Sequence, residues 1–341
     1  MRFSLLFFAN QDCGNAVGRY DLLARSAEFA DGHGFEAVWV PERHFHPFGG
    51  AFPNPALAAG VVAMRTRRVR IRAGSVVIPL HDVLRAAEDW AVVDNVSSGR
   101  VDISFASGWN SDDFVLAPDR YRDRHAVTLR MAREFDQLWR GEEITRINGD
   151  QAAVNVRVYP RPVQSRPGYW LTCTASAERF VEAGRGGFNV LTALLFQTPA
   201  ELKEKVAAYR AARADADADG EGQVTLMLHT YIGPTVDEVR AAVRDPFTRY
   251  LESSTSLWRN QSPDLRSQDE RSKKRLLGFA FQRYFKTAAL FGTVDSCRPL
   301  VRQLADAGID EIACLIDFGL DNDVVMRGLD HIARLAAECR P

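Results

Sequence analysis

The chain has 341 residues, of which 46% are hydrophobic and 10% aromatic, with 43 basic and 44 acidic side chains. This length and composition bury a large core, which excludes an intrinsically disordered protein. The formal net charge of −1 gives no electrostatic attraction for nucleic acid or an anionic membrane. Five scattered cysteines without a CxxC pair indicate neither a disulfide framework nor a thiolate metal site. The apolar stretch at 3–8 is too short for a signal peptide, so we expect a reduced, soluble, cytoplasmic protein.

Apolar segments with the character of β-strands recur along the chain, and most are followed by segments with helical periodicity. In chain order they are Arg2–Ala9, Ala37–Pro41, Val69–Ile78, Val101–Ala106, Tyr169–Cys173, Asn189–Leu191, Val224–Ile232 and Glu311–Asp317. Several are apolar almost without alternation, which is typical of strands buried on both faces of a parallel sheet. Eight strand–helix alternations predict an α/β protein, a (β/α)8 TIM barrel, which we expect to form a single domain over residues 1–341.

Two segments interrupt this alternation. Residues 142–160 are predicted to form a hairpin-like insertion. Residues 252–290 are long, first polar and then aromatic and basic. An insertion of that length in a compact barrel is more often an active-site lid than a passive loop, so we predict a lid at 252–290.

Polar residues at the carboxyl ends of the strands are the first candidates for a barrel active site. The second strand ends with Glu42, His44 and His46, and two histidines at that spacing could bind a metal. A metal-dependent hydrolase barrel would need a bridging lysine near mid-chain, and no lysine occurs before residue 203. A metal hydrolase therefore stays a distant alternative, and a histidine that only completes a loop stays another. We assign no metal site.

Nucleotide fingerprints are missing, since neither GxGxxG after the first strand nor GxxxxGK[ST] occurs. Small hydroxyl residues at 172–178 end a strand and begin a helix, whose free N–H groups can receive a phosphate. Serine and threonine also cap helices that bind nothing. Trp109, after the fourth strand, could lie in the core or form the wall of a site for a planar cofactor.

Several runs together resemble the bacterial luciferase-like flavin monooxygenases over nearly the whole chain. They are Glu42–Phe45, which is similar to the family's second-strand motif with its active-site histidine, Gly74–Asp82, Arg85–Asn95 and Ser98–Trp109. The late runs Leu290–Thr293 and Gly308–Gly319 are similar to the subgroup that accompanies peptide-synthetase and polyketide pathways.

The resemblance implies a two-component monooxygenase, usually dimeric, which binds reduced FMN supplied by a separate flavin reductase. Such enzymes use O2 to form a C4a-hydroperoxyflavin, and the subgroup suggests hydroxylation of a natural-product intermediate, an acyl or aminoacyl group on a carrier protein. Arg271, Lys273, Lys274 and Arg275 are either a docking patch for that acidic partner or a solvated helix face. The alternatives are a deazaflavin (F420)-dependent oxidoreductase and a non-catalytic flavin-binding relative.

The family's functional positions fall on these residues of the chain. His44 would be the catalytic acid or base, because its ordinary pKa near 6.5 suits proton exchange at neutral pH. The cofactor positions are Gly74 and Ser75, where the family often has a cis peptide bond, Ala106, Ser107, Gly108 and Trp109 along the ring, and Arg124, Thr174, Ala175, Ser176 and Ala177 at the phosphate. Phe8, Glu42, His229 and Tyr231 are candidates for facing the substrate, whereas His81 and His125 are expected to be structural. Some relatives have a phosphate-binding arginine where Ser107 stands, so phosphate affinity must come from elsewhere.

Overall fold

The computed structural model describes residues 1–8, 18, 20–174, 176–195, 197–261 and 270–339, and only the backbone of 255–261 and 270–274. The strands are β1 (Arg2–Leu6), β2 (Ala37–Val40), β3 (Arg70–Val76), β4 (Val101–Phe105), β5 (Ile144–Ile147), β6 (Ala153–Val156), β7 (Tyr169–Thr172), β8 (Asn189–Ala193), β9 (Val224–Ile232), β10 (Ala289–Gly292) and β11 (Glu311–Leu315). The helices are α1 (Asp21–Gly32), α2 (Pro55–Arg65), α3 (Val83–Ser97), α4 (Arg124–Arg140), α5 (Ala177–Arg185), α6 (Pro199–Asp215), α7 (Val236–Gln261), α8 (Glu270–Arg283), α9 (Val294–Asp306) and α10 (Asn322–Glu338).

Eight parallel strands close into a barrel, which confirms the predicted TIM barrel. Their order around the barrel is β1, β2, β3, β4, β7, β8, β9 and β11, and β11 pairs again with β1. These are the eight predicted strands, with slightly different ends. Because every strand runs in the same direction, all carboxyl ends meet at one mouth of the barrel, where an active site is expected.

Both predicted interruptions are visible in the structure. Strands β5 and β6 form an antiparallel hairpin inside the predicted insertion, with Ile144 opposite Val156. The segment at 252–290 contains the end of α7, helix α8 and a π-helical turn at Tyr284–Ala288. Strand β10, which the sequence did not predict, follows and pairs with the second half of β9. A run of four apolar residues directly after a helical segment carries too little periodicity to be recognised as a strand.

A buried ionic network fills the barrel below its mouth. Arg72 donates to Glu311 at 2.7 Å and to Asp102 at 2.9 Å, and its guanidinium lies 5.1 Å from the ring centre of Trp39 and 4.6 Å from that of Trp170. Ser4 and Trp39 also donate to Glu311. Burial raises the pKa of Glu311, but Arg72 and these hydrogen bonds outweigh that effect and hold the pKa below its ordinary value. The network therefore consists of charges that are paired as well as buried.

Side-chain caps mark where several helices begin. Asn54 accepts from Leu57 N at the start of α2, and Asp82 accepts from Leu84 N at the start of α3. Helix α5 differs, because the side chain of its first flanking residue, Ser176, accepts no helix N–H. Within the described ranges, no helix combines the length and apolar character that a membrane span requires.

Candidate active site

A carboxylate shared by two histidines lies at the carboxyl end of β2. Glu42 Oε1 accepts hydrogen bonds from His44 Nε2 at 2.8 Å and from His81 Nε2 at 2.7 Å. Its other oxygen accepts the backbone N–H of Val77 at 2.8 Å, and the carboxylate is fully buried. The end of β2 and the turn after β3 thus meet on one group, and Glu42 sets the orientation of His44.

The electrostatics of this group follow from burial and from its three donors. Burial raises the pKa of Glu42, but the hydrogen bonds from His44, His81 and Val77 N–H outweigh it, so the pKa lies below its ordinary value. Burial lowers the pKa of His81, but Glu42 and Asp89 outweigh burial and the opposing charge of Arg120, so that pKa is raised. The carboxylate is therefore ionised at neutral pH.

A buried ion pair between Arg43 and Asp113 lies beside Glu42 and its two histidines. Arg43 Nη1 donates to Asp113 Oδ2 at 2.8 Å, and its guanidinium lies 4.8 Å from the ring centre of Trp109. Asp113 also accepts from the amide of Asn110 at 2.7 Å. Gly49, at φ +76°, lies directly against Arg43. A Cβ on Gly49 would lie 2.9 Å from Arg43 Cγ and 2.8 Å from Phe8 Cε1. Arg43 thus ties the end of β2 to the segment after β4.

Hydroxyl groups from three neighbouring strands meet inside the mouth. The Gly74–Ser75 peptide bond is cis, as the family resemblance predicts. Ser75 Oγ donates to Ser104 Oγ at 3.1 Å, and both hydroxyl groups bond Thr172 Oγ1. Ser75 is therefore held against β4 and β7 rather than lying free in a loop.

The residues after β4 form one wall of the mouth. Ala106, Ser107, Gly108 and Trp109 are all half-buried. Gly108 has φ +73°, and a Cβ there would lie 2.8 Å from the ring of Phe114. Arg124 donates to the carbonyl oxygens of Gly108 and Tyr121 at 3.0 and 2.9 Å. At least two of the nitrogens of Arg124 thus stabilise this turn.

A small cleft opens between the carboxyl ends of β4 and β7 and the first turns of α4 and α5. It is lined by Ser107, His125, Thr128, Leu129, Leu171, Thr172, Thr174, Arg179 and Glu182. Thr174, Ser176 and Ala177 are exposed at the uncapped start of α5, and the predicted Ala175 lies outside the described residues. Burial, together with Arg179 and Arg124, lowers the pKa of His125. Arg179, which pairs with Glu182 of the same cleft, and the N–H groups at the start of α5 give this cleft the character of an anion site.

Besides Glu42, the predicted substrate positions are Phe8, His229 and Tyr231. Aromatic contacts connect Phe8 with His229. The rings of Phe8 and Phe48 are 5.2 Å apart, and Tyr250 of α7 lies 4.9 Å from both Phe48 and His229. Tyr231 instead packs against α10, where a Cβ on Gly328 would lie 2.9 Å from its ring. The structure thus brings Phe8 and His229 to a common aromatic layer and leaves Tyr231 outside it.

His229 has an unusual environment within that layer. Its ring contacts Phe247, Tyr250, Tyr284 and Phe318, and Nε2 has no hydrogen-bond partner among the described residues. Burial lowers its pKa to about 3, so the imidazole is neutral at physiological pH. In the described ranges, no group of three or more His, Cys, Asp or Glu side chains could hold a metal ion.

Comparison with known proteins decides the family. The sequence model of the family described as luciferase-like monooxygenase matches residues 1–311. The chain belongs to this family. This membership confirms the resemblance and the prediction of a flavin-dependent monooxygenase.

Individual members of the luciferase-like family show the same relationship. The chain is 26% identical over 252 residues to the oxygenase component of a flavin-dependent trigonelline monooxygenase from Acinetobacter baylyi, covering 72% of this chain and 69% of that protein. It is 24% identical over 323 residues to 4-hydroxyprotoasukamycin monooxygenase from Streptomyces nodosus subsp. asukaensis, covering 91% and 84%.

Solved structures agree on the fold. The FMN complex of the oxygenating constituent of 3,6-diketocamphane monooxygenase from Pseudomonas putida has a TM-score of 0.79 at 15% identity, covering 100% of this chain and 99% of that one. An F420-dependent secondary alcohol dehydrogenase has a TM-score of 0.74 at 18% identity, covering 100% of both chains. At these identities the likeness concerns the luciferase-like barrel and not the cofactor.

Sequence reasoning missed three residues that the structure places at the mouth. His81 was expected to be structural, yet it shares Glu42 with His44. His125 was expected to be structural too, and Arg179 was not singled out, yet both line the cleft. His81 lies two residues before α3, in the run Gly74–Asp82 that resembles the family. For His125 and Arg179, the second residue of α4 and the third residue of α5, a place in the first turn of a helix is the signal that the sequence offers.

Proposed function

We propose that this luciferase-like enzyme is the oxygenase component of a two-component system, which uses reduced FMN and O2 to hydroxylate an intermediate of natural-product biosynthesis. The cleft at the start of α5 is the observation that carries the FMN assignment. It offers Arg179, His125 and uncapped helix N–H groups to a phosphate, directly beside Ser107 and the wall of half-buried residues at 106–109. Glu182 pairs with Arg179 and keeps its guanidinium in the cleft. The residues present fit the phosphate end of FMN.

The chain's own residues supply proton handling and positioning. Bound reduced FMN supplies the electrons with which O2 is activated. His44, anchored to Glu42 through Nε2, accepts or donates a proton at Nδ1, which has no partner among the described residues. Ser75, fixed by Ser104 and Thr172, orients a polar group of the cofactor. The aromatic layer around His229 excludes water from the reacting atoms.

The same proposal includes the partners and the lid. The chain carries no nicotinamide fingerprint with which to reduce FMN itself, so we propose that a separate flavin reductase supplies reduced FMN. We expect both proteins to be cytoplasmic. The end of α7 and helix α8 lie in the segment predicted to be the lid, and Tyr250 of α7, two residues before that segment, contacts Phe48 of the mouth. Of the four residues of the suggested carrier-protein patch, Arg275 is exposed, and the side chains of Arg271, Lys273 and Lys274 lie outside the described residues. That patch stays a prediction.

A homodimer is the expected assembly, and α2 provides the surface we propose for it. Leu57, Val61 and Met64 follow one face of α2 and are 73%, 37% and 76% exposed, and α3, which packs against α2, also exposes Val92 and Val96. Large exposed apolar patches usually mark interfaces. We expect a dimer by light scattering, which Leu57→Asp with Met64→Asp converts to monomer, while Val115→Asp, at another exposed position, keeps the dimer. A monomeric wild-type protein would contradict this surface.

Flavin binding tests the function directly. Arg179→Gln should weaken FMN about tenfold, roughly the value of one charge-assisted contact, and leave riboflavin unchanged because riboflavin lacks the phosphate. Arg185→Gln, at the exposed far end of α5, is the matched control. Titration by fluorescence quenching gives both dissociation constants. Equal weakening of FMN and riboflavin would argue against a phosphate site in this cleft.

Oxygen reactivity then separates the cofactors. When the protein is mixed with photoreduced FMN and oxygenated buffer, we expect bound flavin to reoxidise more slowly than free flavin and through a distinct absorbance phase. Reoxidation at the rate of free FMN, together with tight binding of F420, would replace the proposal by a deazaflavin-dependent oxidoreductase.

A further inference from the structure

His44 and His81 share a single oxygen atom of a single carboxylate. Both Nε2 atoms donate to Glu42 Oε1, at 2.8 and 2.7 Å, while Val77 N–H occupies Oε2. The carboxylate side chain is completely buried, so no water competes for these oxygens. The two imidazoles are therefore coupled through Glu42, although they are 37 residues apart in the chain.

Charge balance limits how many protons this cluster holds. One carboxylate compensates one imidazolium, and a second positive charge so close to the first is repelled in a site with little water. The other charged groups that act on His81 are Asp89 of α3 and Arg120, whose guanidinium donates to the backbone oxygen of His81. On the other side, Asp113, which is paired with Arg43, interacts with His44. These surroundings favour a single extra proton on the pair.

Exposure distinguishes the two histidines. The side chain of His44 is 10% exposed, whereas that of His81 is 28% exposed. His81 is also the histidine next to Asp89, which favours its protonated form. Access to solvent and the nearby Asp89 both favour His81 as the carrier of the proton.

We propose that His81 is a positioning residue for the reaction: through Glu42 Oε1 it keeps His44 neutral and oriented, and it exchanges the proton of the pair with water. When Nδ1 of His44 takes a proton from the substrate or cofactor, His81 releases one from its ring to water. Glu42 stays ionised throughout, and the pair keeps one positive charge before and after. When His44 returns its proton, His81 takes one up. This inference rests on the proposed function for its role in turnover.

The coupling itself can be measured without flavin or substrate. In protein with isotopically labelled histidine, the Cε1–H signal of His81 is followed by NMR from pH 5 to 9. His44→Ala should raise the titration midpoint of His81 by about 0.5 unit or more, roughly threefold in proton affinity, because His81 is then alone on Glu42. Glu42→Gln should lower the midpoint by about one unit or more. His331→Ala, far along α10, should change it by less than about 0.1 unit.

The outcomes separate this inference from the proposed function. A His81 midpoint that stays the same in His44→Ala overturns the coupling. His81 and Val77 N–H still bond Glu42 in this variant, so it is expected to fold. If the wild-type protein retains FMN but shows no coupling, the inference fails and the proposed function stands. If the coupling is present but FMN is not retained, the proposed function fails. With both present, His81→Gln should alter the pH profile of turnover and leave the dissociation constant for FMN within about twofold.

Discussion

Replacing Arg72 by Met should lower the free energy of unfolding by about 3–5 kcal/mol, because it leaves the buried carboxylate of Glu311 without its cation. Arg72 is 3% exposed and binds Glu311 and Asp102 together, whereas Glu311 is completely buried. Methionine keeps an unbranched side chain beside Trp39 and Trp170, so the loss is expected to be chiefly electrostatic. Denaturant unfolding, followed by tryptophan fluorescence, measures it.

The control and the pH dependence make this result specific. Arg25→Met breaks an exposed pair with Asp323 and should cost less than about 1 kcal/mol. In the wild type the pKa of Glu311 is lowered, so its stabilising contribution is present above the unfolded pKa and is lost as the pH falls through the folded value. Without Arg72, burial raises that pKa, and the variant is least stable at high pH. The difference in free energy of unfolding between the wild type and Arg72→Met should therefore shrink from pH 7 to pH 5. A difference that stays constant over this range would indicate a packing defect.

Replacing His44 by Gln should reduce product formation by about 10²–10⁴-fold, the usual contribution of a general acid or base. The glutamine amide can still donate to Glu42, so the geometry of the site persists while the exchangeable proton is lost. We expect FMN to bind with a dissociation constant within about threefold of the wild-type value. Oxygen uptake should continue and yield hydrogen peroxide in place of product. The measurement is the ratio of product to oxygen consumed in the system reconstituted with a flavin reductase.

His46→Gln is the matched control for this substitution. His46 stands two residues later in the same motif, and its Nδ1 accepts the backbone N–H of Phe48. Its replacement should reduce product formation by less than about tenfold, since it holds a loop and does not bond Glu42. Equal losses in the two variants would point to a general disturbance of the β2 end rather than to a proton carried by His44.

The barrel could be predicted because the pattern that encodes it is local. Strands buried on both faces of a parallel sheet are continuous apolar runs, such as Ile312 to Ile316, and the helices between them are amphipathic. The hairpin at β5 and β6 was recognised as an interruption of this pattern. Strand β10 was not, because four apolar residues that follow a helix directly resemble the end of that helix.

The sequence predicted only those site residues that belong to a short motif of a few consecutive residues. Glu42 and His44 belong to one such motif, and the cis bond at Gly74–Ser75 was expected at its position. His81 stands in the run Gly74–Asp82, but that run does not show that His81 meets Glu42 from another strand, and Arg179 belongs to none of the runs. Likewise, nothing in the sequence around Tyr231 shows that its ring packs against α10.

The sequence by itself thus determined the barrel and the family and predicted His44 as the candidate catalytic histidine, since hydrophobic periodicity and short motifs act over a few residues. Only the tertiary structure decided which polar groups meet: His81 with Glu42, Arg72 with Glu311, and Arg179 with His125 at the cleft. The physical reason is that a buried charge needs a partner within hydrogen-bond distance, and closing the barrel provides that partner from residues tens or hundreds of positions away.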